Sequence, residues 1–238
     1  MQNRRAHQIL YFDAEGRRNL PEVIRVVKQK LKSREELRSL KMVVLTAEGE
    51  GPLLAYNSLV VYEPKIIAVT FPLAFSAKRK DRSYYQPRIS ERLRRFFDGV
   101  GISVVVPDTL PFDFIEGMEA HNQQVRLAKD AITLFGGGFA ICVQAVLRAC
   151  DAGAVEVGER VIAISGDCAA LVTASTTGKF LSRDGGLSIN EIFCKPRNLT
   201  IARPIPARSP SKVIERELEK QAELPNIQQQ QALPEKKE

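Results

Sequence analysis

The sequence has no tryptophan, only two histidines and only four cysteines. The small numbers of histidines and cysteines each exclude a class of site. With His7 and His121 alone, a histidine-rich metal centre or a Ser-His-Asp triad has little to draw on. The cysteines lack the paired C-x-x-C spacing of zinc and redox sites. We therefore predict no metal site and four buried free thiols, which are Cys142, Cys150, Cys168 and Cys194.

The sequence also lacks a long apolar run. No segment approaches the roughly 20 apolar residues that span a bilayer. The basic start of the chain is followed by an apolar stretch of strand length only, at residues 9–12, which is too short for the core of a secretion signal. We expect a cytoplasmic protein that makes no membrane contact.

Charge is plentiful but spread along the chain. The chain has 35 Lys and Arg against 28 Asp and Glu, a formal net charge of +7, and a positive surface attracts nucleic acid. The basic residues form small separate clusters at 4–5, 17–18, 78–82 and 92–95, without an RNA-binding or helix-turn-helix signature. We favour a solvated basic surface over dedicated nucleic-acid recognition.

Apolar segments alternate between strand and helix character. After Asn19, the spacing of Leu20, Val23, Ile24 and Val27 predicts a helix with one apolar face, and residues 66–71 are apolar throughout, as in a parallel sheet covered on both faces. Further strands are predicted at 8–12, 42–46, 102–106, 160–166, 169–174 and 189–194. Further helices are predicted at 53–56, 89–97, 123–134 and 139–149, the last buried at the centre of the domain because it is apolar nearly all round. The polar residues 76–87 are predicted to form a long loop.

The chain divides into one domain with two polar ends. Residues 8–208 are predicted to form a single α/β domain, and residues 1–7 a flexible N-terminus. Residues 209–238 are rich in Pro, Glu, Lys and Gln, a composition too polar to build a core, and are predicted to be a flexible tail.

Ligands of such sheets lie beyond the carboxyl ends of the strands, and four loops qualify as contacts, at 46–51, 70–75, 136–138 and 165–169. Glu48 and Glu50 in the first loop would repel a phosphate, so a plain turn is an equally good interpretation. The triple glycine at 136–138 is interpreted as a break between two helices. Residues 165–167 are the best-placed candidate, with an ordinary turn as the alternative. No catalytic constellation is visible.

Several stretches together resemble a known family. They are Leu-Phe-Gly-Gly-Gly-Phe at 134–139, Cys-Asp-Ala-Gly-Ala at 150–154, Val-Ile-Ala-Ile-Ser-Gly at 161–166 and Glu-Ile-Phe-Cys-Lys-Pro-Arg-Asn at 191–198. In these the chain is similar to small stand-alone proteins related to the C-terminal domain of pyruvate kinase. The resemblance implies a three-layer α/β/α domain with a mostly parallel mixed central sheet. It does not imply pyruvate kinase activity, because the catalytic barrel is absent.

The resemblance further implies a phosphorylated small ligand, either flavin mononucleotide (FMN) or a sugar phosphate. The contacts implied by the family pattern are Asn19, Thr46, Gly49, Thr70, Phe75, Ser165, Gly166 and Asp167. The chain departs from that pattern at Glu48, at Gln144 and in the short loop 167–170, which leaves open whether the site keeps its ligand. The alternative is an interaction protein whose basic surface and C-terminal tail dock an acidic partner or nucleic acid. Pairing into a homo-oligomer is compatible with so apolar a core helix.

Overall fold

The apolar segments build a seven-stranded sheet in a computed structural model that describes residues 7–78, 83–109, 123–199 and 214–219. The strands run β1 (Leu10–Phe12), β2 (Lys41–Leu45), β3 (Ile66–Val69), β4 (Ala77–Lys78), β5 (Tyr84–Tyr85), β6 (Ser103–Val105), β7 (Arg160–Ile164), β8 (Ala169–Thr173) and β9 (Ser188–Pro196). The order in the sheet is β1-β9-β8-β7-β2-β3-β6, and only β8 is antiparallel to its neighbours. The predicted α/β class with a mostly parallel mixed sheet is confirmed. Strands β4 and β5 form a separate hairpin in a segment predicted as loop.

Within the described ranges, five α-helices lie between these strands. They are α1 (Leu20–Ser33), α2 (Glu50–Leu59), α3 (Glu91–Gly99), α4 (Gln123–Thr133) and α5 (Gly137–Asp151). Helix α2 is longer than the predicted 53–56 and begins earlier, because Gly49 turns the chain with a φ of 97° directly after β2. Pro52 falls in its first turn, where the missing N–H costs little.

The sheet has an apolar core on each face. Met42 and Val44 of β2 point to a core shared with α1, α2 and α3, whereas Val43 between them points to a core shared with α5. Ten of the 15 residues of α5 are buried, as its all-round apolar sequence predicted. Helices therefore cover both faces, which explains why the parallel strands read as continuous apolar runs.

All four cysteines are buried free thiols, as predicted. Cys142 Sγ lies 3.8 Å from the carbonyl oxygen of Cys168. Burial raises the pKa of the Cys194 thiol to about 12. A thiol reacts as the thiolate, so Cys194 behaves as a small apolar residue at neutral pH.

Part of the predicted tail packs on the domain. Residues 214–219 are helical, Ile214 and Leu218 pack against the core, and Glu217 is buried. The Glu217 carboxylate accepts a hydrogen bond of 2.8 Å from Asn57 Nδ2 of α2. The rest of the segment 209–238, residues 200–208 and residues 1–6 lie outside the described residues, so the predicted domain boundaries stay predictions. In the described ranges, no helix has both the length and the apolar character needed to cross a membrane.

A cluster of charged side chains links the C-terminal end of α1 to β9 through hydrogen-bonded ion pairs. Glu191 of β9 accepts hydrogen bonds from Lys30 Nζ at 2.8 Å and from the guanidinium of Arg34. Its side chain is only 12% exposed. Burial favours the neutral acid, but the hydrogen bonds from Lys30 and Arg34 outweigh it and lower the pKa of Glu191.

Replacing Glu191 with Gln is expected to destabilise the protein by about 1 kcal/mol at neutral pH, because two partly buried cations lose their carboxylate. The folded state lowers this pKa, so the contribution of Glu191 is present above its unfolded pKa and is lost as pH falls through the folded value. Urea unfolding at neutral pH and at about pH 3 measures the difference, which should shrink in acid. Glu22→Gln, which breaks an exposed pair with Arg25, is the control. A Glu191→Gln effect that is independent of pH would contradict this account.

Candidate functional site

The carboxyl ends of β1, β2, β3 and β7 meet at one edge of the sheet, because β2 is parallel to β3 and β7, and β1 is parallel to β9, the neighbour of the β7–β8 hairpin. The loops that follow these strands therefore converge, and the N-terminus of α5 reaches the same edge through its contacts with Glu15 and Asp167. All four loops named from the sequence are brought to this edge.

An open cleft of about 150 Å³ lies between these loops. The lining side chains that matter chemically are Arg17, Thr46, Glu48, Glu50 and Phe71, and Gly166 contributes backbone. Sites for whole drug-sized ligands typically measure about 300–1,000 Å³. The cleft therefore accommodates one small group, such as a phosphate, while the rest of a larger ligand extends outside it.

Thr46 and Gly49 build the turn that starts α2. The Thr46 hydroxyl accepts a hydrogen bond of 2.8 Å from the Gly49 N–H. A Cβ at Gly49 would overlap Leu93 and lie 3.3 Å from the Phe97 ring, so a side chain is excluded by space as well as by the positive φ. Both residues thus have a structural task, and Thr46 also lines the cleft.

Thr70, Phe75 and Asn19 have different relations to the cleft. The Thr70 hydroxyl donates to the carbonyl oxygen of Phe71 at 3.1 Å. Phe75 stacks on Phe71 with a centroid distance of 4.6 Å, and Phe71 is the ring that lines the cleft. Asn19 occupies the position before α1, but its side chain donates to Ala14 O at 2.7 Å and stiffens the loop after β1.

Residues 165–168 form a hairpin turn between β7 and the antiparallel β8. The turn is closed by a 2.9 Å hydrogen bond from the Ser165 N–H to the Cys168 carbonyl oxygen. Gly166 packs against the backbone of Arg17, since a Cβ at Gly166 would lie 2.9 Å from Arg17 Cα. This contact sets the position of Arg17 at the cleft.

The triple glycine is a break between α4 and α5, as interpreted from the sequence, and it is also a close contact. A Cβ at Gly138 would overlap Asp167 Oδ1 and lie 2.9 Å from Ser165 Oγ. Asp167 Oδ2 accepts a 2.7 Å hydrogen bond from the Gly16 N–H, and Glu15 Oε1 accepts a 3.1 Å hydrogen bond from the Gly137 N–H. Two carboxylates thus lie at the N-terminus of α5, where the helix dipole favours negative charge.

Asp167 and Ser165 carry an unusual feature for buried side chains. They are 5% and 2% exposed, yet Asp167 Oδ1 and Ser165 Oγ have no hydrogen-bond partner among the described residues. Burial raises the pKa of Asp167, and the hydrogen bond from the Gly16 N–H, which lowers this pKa, offsets the rise only in part. The Ser165 hydroxyl lies close enough to favour the ionised form, although its geometry is not that of a hydrogen bond. Such a pair costs about 1–3 kcal/mol per atom and is the kind of exception that functional sites carry.

Sequence reasoning missed Arg17 and Glu15 as parts of the site, and it named the loops that contain Phe71 and Gly138 without singling out either residue. Arg17 and Glu15 could be predicted from the sequence, because they lie in the loop after β1. Strand β1 is parallel to β9, so the two strands end at the same edge of the sheet. Phe71 lies within the predicted loop 70–75, but the resemblance implied its stacking partner Phe75 as the contact. The role of Gly138 depends on a contact with Asp167 across the sheet edge that no local pattern encodes.

A second, larger groove of about 400 Å³ lies between the start of β1 and α1, with His7, Lys30, Ser33 and Phe193 in its walls. The charge of Lys30 is compensated by Glu191 at 2.8 Å. The groove is also remote from the strand ends at which ligands of open α/β sheets bind. We therefore assign the candidate site to the smaller cleft.

No known protein-family model matches the chain. The resemblance to the pyruvate kinase C-terminal domain stays a prediction, as do the ligand contacts it implied. In the described part of the chain, no group of three or more His, Cys, Asp or Glu side chains is placed to hold a metal ion.

Replacing Gly138 with Ala is expected to destabilise the protein by about 2 kcal/mol, because the new methyl group displaces a carboxyl group that is held by Gly16. Thermal and urea unfolding measure the loss. The matched control is Gly99→Ala, since a Cβ at this helical glycine meets nothing within 4 Å, and this change should be neutral or slightly stabilising. The cost of Gly138→Ala should fall in an Asp167→Ala background. An equal cost in both backgrounds would show that Asp167 is not the obstacle.

Proposed function

We propose that this protein binds a phosphorylated small molecule, FMN or a sugar phosphate, in the cleft at the carboxyl edge of the sheet, and that it does so without pyruvate kinase catalysis. The observation that carries the proposal is the convergence of the loops after β1, β2, β3 and β7 on one open cleft that contains Arg17. Strand ends of a parallel sheet are where such folds bind ligands.

The side chains of the cleft supply suitable chemistry for the two parts of such a ligand. Arg17 is 44% exposed, so its guanidinium is accessible to a phosphate, which it pairs with through charge-assisted hydrogen bonds. Phe71 offers an aromatic wall for an apolar or planar group. Gly166 lies against the backbone of Arg17, where a larger residue would collide, and so keeps Arg17 at the cleft.

Ser165 and Asp167 flank Gly166 and support the same proposal. Their buried oxygens without a hydrogen-bond partner lie beside Gly138 of α5, in the two residues next to the Gly166 backbone that lines the cleft. Buried polar atoms without partners are retained where function requires them more often than elsewhere.

The test is a thermal shift of the purified protein with FMN, a sugar bisphosphate and inorganic phosphate. A ligand at about 100 times its Kd should raise the unfolding midpoint by about 5–10 °C. Arg17→Gln should weaken binding by about tenfold or more, because a charge-assisted contact is lost.

Arg18→Gln is the matched control, since it removes the same charge from an exposed neighbour that does not line the cleft. Its effect should stay below about twofold. Absence of any shift across the panel, or an equal loss in the two arginine variants, would rule the proposal out.

A further inference from the structure

Two features of the cleft attract anions, the guanidinium of Arg17 and the N-terminus of α2, and both lie next to the carboxylate of Glu50. Arg17 is the one basic residue among the described residues that line the cleft, and its Nη1 lies 3.8 Å from Oε2 of Glu50. Glu50 is also the first residue of α2, whose N-terminus borders the cleft. Guanidinium groups and helix N-termini both stabilise anions. The carboxylate of Glu50 therefore lies where an anionic ligand would gain most.

The backbone on both sides keeps this pair together. Gly49 precedes Glu50, and its positive φ, its hydrogen bond to Thr46 and its packing against Leu93 set the start of α2. On the opposite side, Arg17 lies against Gly166 with no space for a side chain between them. Neither Arg17 nor Glu50 can move away through its backbone without breaking these contacts.

We propose that Glu50 occupies the anion position of the cleft and competes with a ligand's phosphate for Arg17 and the first turn of α2. This inference rests on the proposed function, and it makes Glu50 the residue that sets the affinity and selectivity of the site for anions. The Arg17 side chain is 44% exposed and that of Glu50 is 17% exposed. The guanidinium can thus turn toward a ligand, whereas the carboxylate stays inside.

The charged environment makes this competition sensitive to pH. The charged side chains that line the cleft with Glu50 are Arg17, from the loop after β1, and Glu48, from the loop after β2, and the other side chains lining the cleft are uncharged. Burial raises the pKa of Glu50 by more than Arg17 lowers it. An anion binds more tightly once Glu50 is protonated, so its affinity rises as pH falls and its binding takes up a proton.

The test compares Glu50→Gln with Glu48→Gln, which removes the same charge from the same cleft but lies outside α2. Calorimetry or thermal shift with inorganic phosphate and with FMN at neutral pH gives the affinities. Glu50→Gln should tighten binding by about tenfold and Glu48→Gln by less than about threefold. Sulfate, which does not titrate in this range, should bind the wild type more tightly at about pH 5 than at about pH 8 and bind Glu50→Gln equally at both.

Each outcome decides between the inference and the proposed function. If the wild type binds and Glu50→Gln binds no more tightly, or if both variants gain equally, the inference is overturned and the proposed function stands. If only Glu50→Gln binds, the inference is supported and the proposed function fails for the wild type. If no variant binds an anion, both are overturned, because the cleft stays inactive after its competitor is removed.

Circular dichroism and the unfolding midpoint without ligand establish that each variant is folded. Glu50→Asp provides a second readout, because it keeps the charge but draws it back from Arg17 by one methylene group. Its affinity for phosphate should lie between those of the wild type and Glu50→Gln, and an affinity below the wild type would contradict the competition.

Discussion

The contact between Asp167 and Gly138 ties together the parts on which the candidate site depends. Asp167 belongs to the turn after β7, its carboxylate is held by the Gly16 N–H of the loop after β1, and Gly138 belongs to the first turn of α5. One side chain thus joins the first strand, the central hairpin and the most buried helix. Because Gly138 has no Cβ, the helix approaches the sheet edge closely enough to share its N-terminus with the loops.

At the same edge, carboxylates of the chain lie at the N-termini of two helices. At α5, the carboxylates of Glu15 and Asp167 lie against the helix N-terminus, and at α2 the carboxylate of Glu50 lies in the first turn. Both helix ends that border the site therefore meet negative charge from the chain itself. At both helix ends the protein's own carboxylates lie where the helix dipole favours negative charge.

Most of the fold could be predicted because it follows from local patterns. The face of α1 that contains Leu20, Val23 and Ile24 is buried, and α5 is buried on nearly all sides, as their apolar spacing indicated. The errors occurred where backbone geometry decides. Gly49 starts α2 three residues before the predicted helix, and a hairpin occupies part of the predicted loop at 76–87.

The site could be predicted only to the level of its loops. Thr46, Gly49, Ser165 and Gly166 lie at the predicted edge because strand ends can be located from apolar runs. Contacts between residues distant in sequence could not be found in this way. The approach of Arg17 to Gly166 and to Glu50 depends on the order of strands in the sheet, which no local pattern specifies.

The pairing of β1 with β9 has a consequence for how the protein is made. Leu10 lies beside Cys194 in the sheet, so β1 can pair with β9 only after all residues up to β9 have left the ribosome. The loop after β1, which contributes Gly16 and Arg17, is then positioned last, and contacts of such long range slow folding. The cleft is thus complete only after β9 has been synthesised and has paired with β1.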